Sequence, residues 1–185
     1  MSGTDIFSVI GGLYDASAGG GDWFAAGQEL FQFIGVDSGS LRLRRTHGHV
    51  VNVLQPTLPA EEQYSTRFAP SDPVRGAALR EIPARDWGSA VRIGEELLPA
   101  DTFFRSDFYQ NFARPLGRNH LLLGALGDAE RTLILLFREK TPFTERDKQN
   151  LVSILPHIQR AVQPRLACVA RPITSSEDAA RPAFA

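Results

Sequence analysis

Two apolar runs, His120–Leu126 and Thr132–Arg138, lie on either side of the turn-forming Gly127-Asp128-Ala129-Glu130. A strand with one face in water alternates apolar and polar residues, whereas these runs are apolar at almost every position, so both of their faces must be covered. They predict a hairpin in the middle of a sheet, with helices on both sides and the remaining elements arranged around it.

Residues 4–18 place Ile6, Phe7, Ile10, Leu13 and Tyr14 on one helical stripe, with Thr4 or Asp5 as its cap. Gly19-Gly20-Gly21 ends that helix, and Asp22 opens a second one carrying Trp23, Gly27, Leu30, Phe31 and Ile34. At Ser38 the period falls to two: Leu41 and Leu43 alternate with Arg42 and Arg44, and the Thr46-His47-Gly48 turn leads to a return strand over Val50–Leu54. Pro56 and Pro59 break the sheet, and the stretch to Arg80 reads as helical pieces interrupted at Pro70 and Pro73. Ser89–Ile93 supplies a short third strand.

Residues 101–113 read as one aromatic-rich helix, with Phe104, Phe108 and Phe112 at every fourth position. Thr144 and Asp147 form a capping box for a last helix whose stripe is Leu151, Ile154, Leu155, Ile158 and Val162, kinked at Pro156. The expectation is one α+β domain over residues 1–170, of the GAF or PAS kind, with an antiparallel five-stranded sheet and helices on both faces. Residues 171–185, rich in Ser, Glu, Asp, Ala and Pro, read as a tail or linker.

Composition removes several function classes. The net charge is −1 over 185 residues, and no segment is basic enough to hold a phosphate backbone, so nucleic acid is not an expected partner. Cys168 is the single cysteine, which excludes an intrachain disulfide and a Cys-based zinc site. No run is apolar enough to span a bilayer and no basic leader precedes one, so a cytoplasmic protein without a membrane partner is expected. His47, His49, His120 and His157 are too scattered for a metal site, and no cofactor is expected. There is no Gly-x-Ser-x-Gly elbow, and Gly19-Gly20-Gly21 lacks the surroundings of a phosphate loop. An enzyme is disfavoured; the remaining catalytic option pairs His120 with Asp72.

What remains is a surplus of rings in the middle third, where small-ligand pockets of this architecture are lined by aromatic side chains with a few polar anchors. Asp72-Pro73 reads as an N-cap followed by proline at the first helical position; turned toward the rings, its carboxylate would anchor a ligand amide or amine. The candidate ligand-binding set is Tyr64, Phe68, Asp72, Trp87, Phe104, Phe108 and His120, and the alternative is that the rings simply fill the core.

Over most of residues 4–165 the chain resembles the N-terminal sensory region of LuxR-type helix-turn-helix transcriptional regulators. The matching segments are Ile10-Gly11-Gly12-Leu13-Tyr14-Asp15-Ala16, Asp22-Trp23-Phe24, Tyr64 to Val74, and Ile93-Gly94-Glu95-Glu96-Leu97-Leu98-Pro99. They continue with Arg105 to Gly117, the most specific stretch, and with Phe143 through Ile158. In the acyl-homoserine-lactone-binding relatives a Tyr, an Asp-Pro-Val and a following Trp contact the signal; Tyr64, Asp72-Pro73-Val74 and Trp87 look like those positions, while position 60 is Ala where a Trp is usual. The family's helix-turn-helix is not among these residues.

The resemblance and the rings together imply a bacterial small-molecule sensor that signals through its last helix. A homodimer is expected, with the last helix stripe and Phe7, Ile10 and Tyr14 as its seam. The rival is a stand-alone dimerisation or protein-interaction module with a filled core and no ligand.

Overall fold

The computed structural model describes residues 5–44, 50–54, 58–127 and 131–167. The Thr46-His47-Gly48 turn, Cys168 and the tail at 171–185 lie outside the described residues.

The helices begin and end where local chemistry dictates. Helix α1 (Ile6–Ala18) is capped by Asp5, whose carboxylate accepts from the Ser8 N–H, and stops at Gly19 in the left-handed region. Helix α2 (Trp23–Ile34) is capped by Asp22 and closed by Gly35 in the same way. Strands β1 (Ser38–Arg44) and β2 (Val50–Asn52) follow, then α3 (Leu58–Gln63), α4 (Pro73–Glu81), β3 (Val91–Ile93), α5 (Gly94–Leu97) and α6 (Ala100–Arg105). The chain continues through β4 (His120–Ala125), β5 (Leu133–Arg138) and α7 (Glu145–Ala167), which runs unbroken past Pro156. The predicted capping box forms: the Thr144 N–H donates to Asp147 Oδ2 at 2.8 Å and the Asp147 N–H to Thr144 Oγ1 at 3.3 Å.

All strand pairs are antiparallel, in the order β2-β1-β5-β4-β3. The expected five-stranded sheet is corrected by the register of β1. Ser38–Leu41 pair with β5, whereas Arg42–Arg44 pair with Val50–Asn52 of β2. The continuous sheet therefore has four strands, and β2 is a hairpin flap on the half of β1 that extends past β5. The β4–β5 hairpin stands in the middle of the four, as its unbroken hydrophobicity requires.

Alternation along the strands makes two cores. Leu41, Val91, Leu122, Ile134 and Leu136 meet α1, α2 and α7 on one face. Leu121, Leu123, Leu135 and Phe137 meet α4 and the middle segments on the other. Gly124 lets α7 come close: a Cβ there would stand 2.8 Å from Leu155 Cδ1 and 2.8 Å from Ile134 Cγ2. Arg138 ties three elements together. Its guanidinium donates to the Ile34 and Gly35 carbonyls at the end of α2, and to both oxygens of Asp147 at 2.8 and 3.0 Å.

Two sequence expectations change here. Leu151, Ile154, Leu155, Ile158 and Val162 are all buried within the chain's own core, so the α7 stripe is not free for a seam. Of the predicted seam Phe7, 80% exposed, and Tyr14, 38% exposed, remain at the surface, and Ile10 is half-buried. The single helix over 101–113 is two pieces: the chain turns extended at Ser106, whose hydroxyl then accepts from the Tyr109 N–H at 3.1 Å and starts a new helical segment.

Candidate ligand-binding site

The second sheet face is covered by short, interrupted segments, and two of them share an unusual design. Tyr64–Phe68 forms a π-helical turn followed by a 3-10 turn at Ala69–Ser71 that contains Pro70. Tyr109–Ala113 forms another, followed by a 3-10 turn at Arg114–Leu116 that contains Pro115. Proline has no N–H and its ring clashes with the carbonyl four residues back, so the preceding N–H reaches one residue further: Ala69 to the Tyr64 carbonyl and Arg114 to that of Tyr109. Such wide turns occur frequently at functional sites.

Between them they hold four rings. Tyr64, Phe68, Phe108 and Phe112 meet at centroid separations of 5.2–6.5 Å in tilted and edge-to-face arrangements. Phe103, Phe104 and Tyr109 form a second group at 4.9–5.7 Å.

Polar groups are buried in this layer. The Tyr64 hydroxyl donates to Asp72 Oδ2 at 2.9 Å, and Asp72 Oδ1 accepts from the N–H groups of Val74 and Arg75 as the cap of α4. Burial raises the Asp72 pKa, against the hydrogen bonds that hold its charge; burial, then the Asp72 charge, raises that of Tyr64. Arg42 lies over the Tyr64 ring at 3.7 Å from its centroid and is gripped by both oxygens of Glu61, at 2.9 and 3.0 Å. Asn52, fully buried, donates to Glu61 and to the Gly39 carbonyl and accepts from the N–H groups of Leu41 and Leu54.

Arg118 is different. It is only 5% exposed, with its guanidinium 4.8 Å from the Phe137 centroid and 5.6 Å from that of Phe112. Its Nε has no hydrogen-bond partner, and the charge of Glu61, which is gripped by Arg42, acts on it only from beyond direct contact. Burial, and then the charge of Arg42, hold its pKa down at about 10. A cation–π contact returns about 2 kcal/mol when desolvated, against several kcal/mol lost by an ion leaving water. The group is thus under-compensated.

Beside the second ring group lies a shallow, half-open hollow whose enclosed space is about 20 Å³, lined by residues that include Val74, Glu95, Leu98, Phe103, Phe104, Asn119 and Leu121.

The structure brings together part of the predicted set. Tyr64, Phe68 and Phe108 share one cluster, with Asp72 bonded to its edge, and these rings fill their space instead of ringing an opening. Phe104 alone of the set lines the hollow. Trp87 sits at the far end of β4, where the Gly88 N–H meets the Ala125 carbonyl, and its indole donates to the Ile82 carbonyl at 3.1 Å. His120 takes the side of β4 used by Leu122, away from the rings, with Nδ1 3.9 Å from Glu95 Oε1. It is not brought to Asp72, whose partners are Tyr64, Val74 and Arg75. Sequence reading missed Arg42, Asn52, Glu61 and Arg118. Arg42 alternates with leucines and so resembles a solvent-facing strand position, and Arg118 follows Gly117 in what reads as a turn.

No protein-family model matches the chain, and no curated protein matches it. Among solved structures it is similar in fold to the N-acylhomoserine lactone dependent LuxR family transcription factor CepR2 from Burkholderia cenocepacia. The TM-score is 0.54 at 17% identity, over 87% of this chain and 97% of that one. Among the described residues no helix is long and apolar enough to cross a membrane, and no group of three or more His, Cys, Asp or Glu side chains could hold a metal ion.

Proposed function

We propose that this chain is a cytoplasmic, bacterial small-molecule-sensing domain of the LuxR type and the GAF or PAS kind, with no catalysis of its own. The observation that carries the reading is the burial of Tyr64, Asp72 and Arg118 in an aromatic layer against one sheet face. A core built for stability alone would place leucine there, because buried polar groups cost free energy that apolar packing does not. The fold likeness to a lactone-dependent regulator supports the same reading.

The ligand would enter at the hollow and open the layer. β4 carries the response: Leu121 and Leu123 face the site, while Leu122 and Gly124 face the core that contains α7. A ligand that favours one position of α7 over another shifts that helix by population. Self-association would use the exposed Phe7 and Tyr14 of α1; light scattering that returns a single-chain mass removes the dimer from this reading.

The filled-core interaction module draws on one observation, the mutual contact of the four rings. Native mass spectrometry of protein purified from its own host separates the two. A copurified small molecule, lost in a Phe104→Ala variant, supports sensing. A bare chain mass, with no thermal shift from a metabolite library, leaves the interaction module.

A further inference from the structure

We infer that Arg118 is the receptor for the acid group of a small organic monocarboxylate, the ligand of the site; this rests on the sensing reading above and names its chemical class.

The other polar groups near Arg118 are already committed. Arg42 is held by both oxygens of Glu61, Glu61 also accepts from Asn52, and the Tyr64 hydroxyl is spent on Asp72. Arg118, buried and with an orphan Nε, feels the charge of Glu61 but receives no hydrogen-bond acceptor from these groups. A carboxylate supplies the missing acceptors with one buried negative charge, whereas a phosphate dianion would bury two and cost more. A planar guanidinium matches a carboxylate with two parallel hydrogen bonds.

The surroundings set the rest of the molecule. Phe112 and Phe137 flank the guanidinium. Leu121, a wall of the hollow, is the register partner of Phe137, and Asn119, next to Arg118 in sequence, lines the same hollow. Arg118 does not itself line the hollow, so an apolar body seated there would have to extend along the sheet face, past Leu121 toward Phe137, to bring its acid end to Arg118. A one-ring or short-chain acid is the smallest molecule that joins an apolar body to an acid end; an amide or ester of the same shape leaves the cation without its charged partner.

The test compares phenylacetate and hexanoate with phenylacetamide and hexanamide, by calorimetry on the whole chain and on Arg118→Met. The wild type should bind at least one acid about ten-fold more tightly than its amide. Arg118→Met should melt no lower than the wild type without ligand, and should bind acid and amide alike. Equal binding of acid and amide by the wild type overturns this inference and leaves the sensing reading intact, as does a copurified neutral compound with no acid bound. An Arg118→Met variant that melts lower and keeps the acid preference assigns Arg118 a structural role. No binding of any acid or amide, together with no copurified molecule, removes both readings.

Discussion

The Tyr64 hydroxyl donates to one oxygen of Asp72 at 2.9 Å while the other oxygen caps α4, so a single carboxylate joins a π-helical turn to the first turn of the next helix. Tyr64→Phe strands a buried acceptor and should cost about 1–3 kcal/mol in urea unfolding. A loss within error would mean that Asp72 finds another donor.

Asp72→Asn keeps the cap and the acceptor for Tyr64 and removes the charge. Burial raises the folded pKa of Asp72 above its unfolded value, so the wild type loses stability as pH rises from the unfolded pKa through the folded one. The variant has no proton to release there. Its stability relative to the wild type should climb across that range, and a gap that stays constant with pH contradicts the assignment.

Asp147 titrates in the opposite sense. Burial would raise its pKa, but the Arg138 and Thr144 hydrogen bonds outweigh that and hold it below the usual carboxylate range. Its contribution is complete above the unfolded pKa and disappears as pH falls through the folded one. Asp147→Asn should cost about 2 kcal/mol at neutral pH and converge with the wild type in acid. Parallel acid-unfolding curves would disprove the pairing.

Asn52→Ala removes the partner of two buried backbone N–H groups, those of Leu41 and Leu54, and one hydrogen bond to Glu61. The expected loss is about 3 kcal/mol, with the β2 flap exchanging its amide protons faster than β4 and β5. Uniform exchange across the sheet would show that Asn52 does not hold the flap.

Gly124→Ala pushes a methyl into Leu155 and Ile134, and overpacking of this kind costs about 1–3 kcal/mol. Leu155→Ala alone opens a cavity at a cost of about 2–5 kcal/mol. Combined, each change relieves the other, so the double variant should lose less than the sum of the singles. Additive losses would show that α7 does not seat on Gly124.

The outer architecture was legible because it follows from local rules: two Asp-capped helices closed by glycine, a capping box at Thr144, and a hairpin too apolar to face water. The aromatic layer was legible only in composition. A period of four joined Phe104 to Phe108 and Phe112, but Ser106 breaks the helix between them and assigns Phe104 to a different group. Trp87 and His120 were drawn into the site by residue type; one satisfies the end of α4 and the other falls on the opposite side of its strand. Arg118 leaves no periodic signature, since a turn residue reads as solvated until the fold closes over it.

The two wide turns have one more consequence. Each holds an additional residue ahead of its proline, so deleting one residue from either would rewind the segment and rotate its rings by about 100° relative to the next element of the chain. Tyr64 and Phe68, or Phe112, would then be aimed elsewhere although no side chain had been substituted. Shortening the chain by a single position is thus a way to misaim the aromatic layer while every one of its rings stays in the sequence.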